Sequence, residues 1–243
     1  MIQLKNINKS FSSYSSFFSK KDNEYKVLSN INIEIKNNEI FGIIGKNGIG
    51  KSTLLKIIFG SITPDSGEIL FNGCEKKFQS HQKKFSLINN NDRSFFWRLT
   101  VEENLKYFSS LYKEDNNEVS DRIREHLMID DLMKKNFYSL SSGQKKKIML
   151  YRGLLKNPEV IFFDEFTQSL DLPSKTEVER IILDLKQKYK KTIIWITHDM
   201  NEIFDLCNSM ALMEKEAISQ IDIQKEDVDL KNRIIRSFHD VKK

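Results

Sequence analysis

Eight residues, Gly45-Lys46-Asn47-Gly48-Ile49-Gly50-Lys51-Ser52, constrain this 243-residue chain more than any other stretch. They fit G-x-x-x-x-G-K-[ST], with an apolar run, EIFGII, before them and a helical pattern, LLKIIFG, after them. Four of the chain's nine glycines fall between Gly42 and Thr53. Glycine lets the backbone turn tightly, so that successive N–H groups point inward at one place. The following helix adds the positive end of its dipole. Such a cradle accepts phosphate. Lys51 is placed to reach the β- and γ-phosphates of a nucleotide, and Ser52, with Thr53 beside it, to hold Mg²⁺. A strand–loop–helix of this kind belongs to an α/β nucleotide-binding chain, but kinases, GTPases and motor ATPases share it.

The rest of the chain supports that fold class. EVIFFDE and KTIIWITHD read as buried strands, and residues 174–189 as an amphipathic helix. Buried strands alternating with helices imply a mostly parallel sheet. Residues 1–10 and 27–35 alternate apolar and polar, as half-buried strands do, with a serine- and charge-rich loop between them. TPDSGEILFNG reads as turn, strand, turn, and FSLIN as a further strand. Thr100 and Glu103 have capping-box spacing and open a helix to about Tyr112. Residues 118–136 read as a polar helix, and Ser141 as the cap of another that ends before Pro158. The expected organisation is one nucleotide-binding domain over residues 1–225, with a helical lobe at about 92–155 and a basic helical tail over 226–243.

Composition narrows the setting. The net charge of +5 is spread among acidic residues, so Lys145 to Lys147 and Lys190–Lys191 read as solvated surface and no nucleic-acid partner is expected. Cys74 and Cys207 lack metal-ligand spacing and read as free thiols. MIQLKNINKSF carries no apolar signal region, and no apolar run approaches the ~20 residues of a membrane span. A role in a membrane process therefore needs another chain to cross the bilayer.

Asp164 and Glu165 end the strand VIFFD, at the sheet edge where open parallel sheets bind ligands. Asp164 is placed to hold Mg²⁺ and Glu165 to act as general base on a water. His198 ends another apolar strand and reads as a γ-phosphate contact, while His81, His126 and His239 read as surface residues.

LSSGQ, Leu140 to Gln144, decides among the nucleotide-binding families. With the P-loop (Walker A) pattern, the strand ending in Asp164-Glu165, SLD (Ser169 to Asp171) and THD (Thr197 to Asp199), the chain resembles the nucleotide-binding subunit of an ABC transporter over about residues 1–215. The resemblance implies a P-loop NTPase of ABC-ATPase fold: a RecA-like, mostly parallel sheet core, an antiparallel β subdomain and a helical signature subdomain. It implies two such subunits closing head to tail on two ATP, in a homo- or heterodimer. Ser141, Ser142, Gly143 and Gln144 would meet the partner's γ-phosphate, and Ser169 and Asp171 would signal across the dimer. The family's glutamine loop falls on Asn91, counted back from Thr100, as a water or Mg²⁺ contact. Its adenine-stacking aromatic falls on Phe11, with Tyr14 and Tyr25 as alternatives. The chain departs from the family at Ser142, where a glycine is usual, and at Phe166, where a proline is usual.

The resemblance also implies a place and a partner: the cytoplasmic face of the cell membrane, peripheral, bound to separate multi-span permease subunits. DRSFFWRLT resembles subunits of exporters of drugs, lipids or polysaccharides. Phe95, Phe96 and Trp97 in sequence cannot all face one core, so aromatic surface is expected there, with Trp97 as a contact to the membrane partner. The alternative is a soluble ABC-type ATPase of an assembly scaffold, as in iron–sulfur cluster building. A translation-factor or DNA-repair ATPase is disfavoured, because the chain has neither tandem cassettes nor a coiled-coil insert.

Overall fold

The computed structural model describes residues 1–13, 23–75, 84–112, 118–168, 170–214 and 217–223. Tyr14, His81, Ser169, His239 and the tail over 226–243 lie outside these. The chain divides into two compact units, one of Met1–Phe78 with Ile194–Lys243 and the other of Gln79–Ile193. In chain order the elements are β1 (Ile2–Ser13), β2 (Asn23–Ile35), β3 (Ile40–Gly45), α1 (Lys51–Phe59), β4 (Ser66–Phe71) and β5 (Cys74–Glu75). Next come β6 (Phe85–Asn89), α2 (Val101–Tyr112), α3 (Glu118–Leu127), α4 (Ser142–Leu154), β7 (Val160–Asp164), α5 (Leu172–Gln187) and β8 (Thr192–Ile196). The last are α6 (Met200–Leu206), β9 (Ser209–Glu214) and β10 (Ala217–Asp222).

In the first unit, β2-β1-β4-β5 form an antiparallel sheet. Its register pairs Ile2 with Ile35 and Leu4 with Ile33, which puts alternate apolar residues on one buried face. The register shifts after Leu4, where Asn6 and, on the facing strand, Asn30 take positive φ. Asparagine tolerates that conformation, and a bulge sharpens the local twist. The same unit holds β10-β9-β3 and the end of β8. β3 runs parallel to β9, and all six of its residues are buried, as the apolar run EIFGII requires. α1 buries Leu54, Leu55, Ile57 and Ile58, then stops at Gly60, whose φ of 87° allows its N–H to reach the Ile57 and Lys56 carbonyls.

In the second unit, β6 runs parallel to β7, with Asn89 opposite Asp164. The Thr100–Glu103 capping box forms in both directions: the Glu103 amide donates to Thr100 Oγ1 at 3.2 Å, and the Thr100 amide to Glu103 Oε2 at 2.8 Å. The helix expected over 118–136 ends earlier, at Leu127, because Met128 turns to φ 49°. Two 3-10 turns follow, Asp130–Leu132 and Phe137–Ser139. Phe137 carries the packing there, stacked on Phe95 with centroids 4.3 Å apart. Among the described residues no helix is long and apolar enough to cross a membrane.

Candidate nucleotide site

The cradle lies wholly in the first unit. Gly48 has φ 79° and Gly50 φ 111°, conformations that an L side chain rarely adopts. A Cβ on Gly50 would also stand 2.8 Å from Val27 Cγ1 on β2. Gly42 and Gly45 answer a different need. A Cβ there would meet Ile203 at 2.6 Å and the Met213 carbonyl at 2.8 Å respectively, so they let α6 and β9 approach β3. Only the later glycines shape the loop itself.

Lys51 is 6% exposed. Its Nζ donates to the Gly45 carbonyl at 2.7 Å and the Lys46 carbonyl at 3.1 Å, and lies 3.5 Å from Asn47 Oδ1. Three loop oxygens thus hold one positive charge inside the loop. Lys46, Asn47 and Gly48 form its exposed tip, the Ile49 amide closes the turn on the Lys46 carbonyl at 3.3 Å, and Thr53 is half-buried behind it. No side chain caps α1, and its first turn holds no acidic residue. The helix dipole therefore acts unopposed on an anion in the loop. These features fit a nucleotide phosphate.

Ser52 is exposed in the first turn of α1. Among the described residues no three His, Cys, Asp or Glu gather as a metal site. Magnesium bound with a nucleotide needs no such cage, because phosphates and water complete its shell. A hydroxyl such as Ser52 and a carboxylate such as Asp164 are of the right chemistry.

His198 is exposed beyond β8, and the preceding Thr197 donates its amide to the Ile43 carbonyl at 3.4 Å. The histidine thus leaves the sheet beside the strand that leads into the cradle. Asp199 caps α6 behind it, accepting from the Asn201 amide at 2.9 Å. Trp195 is fully buried and donates Nε1–H to Glu202 at 3.1 Å, tying β8 to α6 on either side of His198. Phe11 is half-buried opposite Tyr25, with ring centroids 6.0 Å apart, so two of the adenine-stacking candidates form one aromatic pair.

The acid pair lies in the second unit. Asp164 and Glu165 are both half-buried, and Glu165 has φ 49°, a left-handed conformation unusual for its type. A proline at position 166 would bias Glu165 towards extended backbone. Phe166 leaves it free of that bias and is itself fully buried, with its ring 5.6 Å from that of Phe163. Asn91 is exposed just beyond β6. Its side-chain oxygen accepts from the Arg93 amide at 2.9 Å in a local turn. The residue before it, Asn90, donates Nδ2–H to the Glu165 carbonyl at 2.6 Å. β6 ends at Asn89, level with Asp164, so Asn90 falls beside Glu165.

The signature stretch opens α4. Ser141 caps it with a complete box: the Gln144 amide donates to Ser141 Oγ at 3.3 Å, and the Ser141 amide to Gln144 Oε1 at 3.1 Å. Ser142 is exposed, and a Cβ on Gly143 would make only ordinary contact, 3.5 Å from Ser174 Oγ. Asp171 caps α5, accepting from the Ser174 amide at 3.1 Å. Ser174, through its side chain first and its amide second, holds the Asp171 carboxyl below its ordinary value.

Lys145 to Lys147 are not the solvated run that composition suggested. Successive helical positions point about 100° apart, so each meets a different surface. Lys145 Nζ lies 4.4 Å from the Trp97 ring and 3.4 Å from Asp92. Lys146 is buried against the turn after Glu165. Lys147 pairs with Glu177 at 2.8 Å. Lys191 is buried as well, donating to Asn157 at 2.6 Å. His126 is half-buried on α3. Cys74 is exposed and Cys207 buried, and that burial pushes the Cys207 thiol well above its ordinary value.

Residues 28–168 match the sequence family described as "ABC transporter". This chain belongs to that family. It is 30% identical over 201 residues to the ABC transporter ATP-binding protein NatA of Bacillus subtilis, covering 81% of each chain. It is 33% identical over 207 residues to the aliphatic sulfonates import ATP-binding protein SsuB of Bacillus cereus, covering 84% of this chain and 80% of the relative. The fold agrees with that of cbiO1 from Clostridium perfringens, part of the ABC transporter complex cbiONQ, at a TM-score of 0.76 and 23% identity over 97% of this chain and 93% of the other. As an ATP-binding cassette of the ABC family, the chain is an ATPase of the kind that drives transport.

Proposed function

We propose that this cassette powers a membrane transporter by hydrolysing Mg²⁺-ATP, working as one of a pair at the cytoplasmic face of the membrane on separate multi-span permease subunits. The observation that carries the reading is the cradle: a buried Lys51 inside a glycine-shaped loop at the uncapped start of α1. In this reading the loop amides and Lys51 bind the β- and γ-phosphates, and Phe11 with Tyr25 offers ring surface to adenine. Ser52 and Asp164 are the groups that would hold Mg²⁺, which neutralises charge developing on the phosphates. Glu165 takes a proton from the attacking water, and His198 contacts the γ-phosphate. Ser141 to Gln144, with Ser169 and Asp171, serve the partner cassette's nucleotide.

The aromatic surface supports a docking role. Phe96 and Trp97 are 47% and 49% exposed while Phe95 is buried, so the stretch divides between core and surface as its sequence requires. Trp97→Ala is expected to weaken assembly with the membrane partner and leave nucleotide binding intact. The resemblance of DRSFFWRLT to exporter subunits finds no support in SsuB, an import subunit by name. The reading therefore carries no direction of transport.

The test is to recover a Glu165→Gln form from detergent-solubilised membranes with ATP present. Removing the base should trap the closed, ATP-loaded pair, and hydrolysis should fall at least ~100-fold with nucleotide binding kept. Recovery of a multi-span protein supports the reading. Recovery of soluble scaffold proteins alone replaces the transporter with the assembly ATPase.

A further inference from the structure

The turn after β7 is held by side chains that ATP chemistry does not itself require. Glu165 sits in the left-handed region, which persists for such a residue only where the surroundings over-determine it. Within the turn, the Gln168 amide donates to the Glu165 carbonyl at 3.2 Å and the Leu170 amide to the Thr167 carbonyl at 3.1 Å. Asn90 adds a bond to the Glu165 carbonyl at 2.6 Å. Lys146 adds two more, its Nζ donating to the Phe166 carbonyl at 2.6 Å and to the Gln168 carbonyl.

Lys146 is an unusual choice for this place. It is 8% exposed, and buried ammonium groups are rare because desolvation penalises them unless hydrogen bonds compensate. Here the compensation comes from backbone carbonyls two residues apart, with Nζ 5.6 Å from the Phe166 ring. A compact cation with rotating donors can serve two such acceptors at once, whereas the flat fork of an arginine suits paired oxygens in one plane. Lys146 also lies two residues beyond Gln144, in the capped opening of α4. The signature and the Glu165 turn are therefore fastened to each other through one side chain.

We infer that Lys146, with Asn90, is a positioning residue that fixes the Glu165 turn and ties it to the start of the signature helix. It touches no reacting atom. It sets the direction of the carboxylate, so that a displacement of α4 by the partner's nucleotide is felt at Glu165. This rests on the assignment of Glu165 as the base.

The experiment is steady-state hydrolysis by the full chain, with nucleotide affinity measured separately using a fluorescent ATP analogue. The variants are Lys146→Met, Lys146→Arg and Asn90→Ala, each also made with Glu165→Gln. Lys146→Met is expected to lower kcat about 10- to 100-fold, the scale of a small misplacement of a catalytic group. KM and analogue affinity should stay within about twofold, because the cradle belongs to the other unit. Asn90→Ala should act in the same direction, and Lys146→Arg should recover part of the rate. With Glu165→Gln already present, Lys146→Met should change the residual rate less than about twofold, since both act through one group. An unchanged kcat, or an equal loss with and without Glu165, overturns the inference while leaving Glu165 as the base. Wild-type hydrolysis by Glu165→Gln alone overturns both. Should Lys146→Met fail to fold, Asn90→Ala and Lys146→Arg still decide the matter through the same split.

Discussion

The chain opens two helices with glycine and hydroxyl residues, and the two openings are built on opposite plans. α1 begins after Gly50 at φ 111°, with no side-chain cap and a glycine that β2 would crowd out if it carried a Cβ. α4 begins with a closed capping box, and its Gly143 has room for a methyl group. The first opening is shaped by its own fold, since the loop cannot form without those glycines. The second is internally satisfied, and among the described residues nothing crowds its glycine. In the proposed pairing of two cassettes, that small residue leaves room for the close approach of the partner's nucleotide.

That contrast can be broken most readily at Gly50. Gly50→Ala places a side chain at a forbidden φ and against Val27, so nucleotide affinity should fall by more than about 100-fold and the melting temperature should drop as well. Calorimetric titration with ATP and a thermal scan check both. Retained affinity would mean that the loop relaxes and that its shape is not set by glycine.

Gly143→Ala should separate the two properties. Its methyl group fits, and alanine favours the helix by up to about 0.5–1 kcal/mol, so stability should hold or rise slightly. Hydrolysis should nevertheless fall about tenfold or more, because in the proposed pairing the methyl group would stand where the partner's γ-phosphate needs close backbone. A drop in melting temperature would give Gly143 an internal role and weaken the comparison.

The smallest effect belongs to Ser141. Ser141→Ala removes the cap and half of the box, at a cost of about 1 kcal/mol seen in chemical denaturation. Ser141→Asp would keep the cap and place a negative charge where the partner's phosphate is proposed to lie. It should retain stability and lose hydrolysis, sharpening the distinction between what holds α4 and what α4 holds.

Much of this was legible in the order of residues. The G-x-x-x-x-G-K-S spacing, the strand ending in Asp164-Glu165, the Thr100–Glu103 capping box and the Ser141 cap depend on residues within about eight positions of one another. Chemistry over that range is set by backbone geometry, which a short sequence specifies by itself. The alternation of buried strands and helices is equally local, so the α/β architecture followed from periodicity, while the antiparallel sheet was implied by the family resemblance.

Other features needed the folded chain. Gly42 and Gly45 look like cradle residues but serve packing against α6 and β9, more than 150 positions away in sequence. Lys145 to Lys147 look solvated, yet one lies over Trp97, one is buried under the Glu165 turn and one pairs with α5. Asn90 meets the Glu165 carbonyl, because the β6–β7 register sets Asn89 level with Asp164. In each case the deciding partner is distant in sequence, and only tertiary packing brings it within hydrogen-bond or van der Waals range.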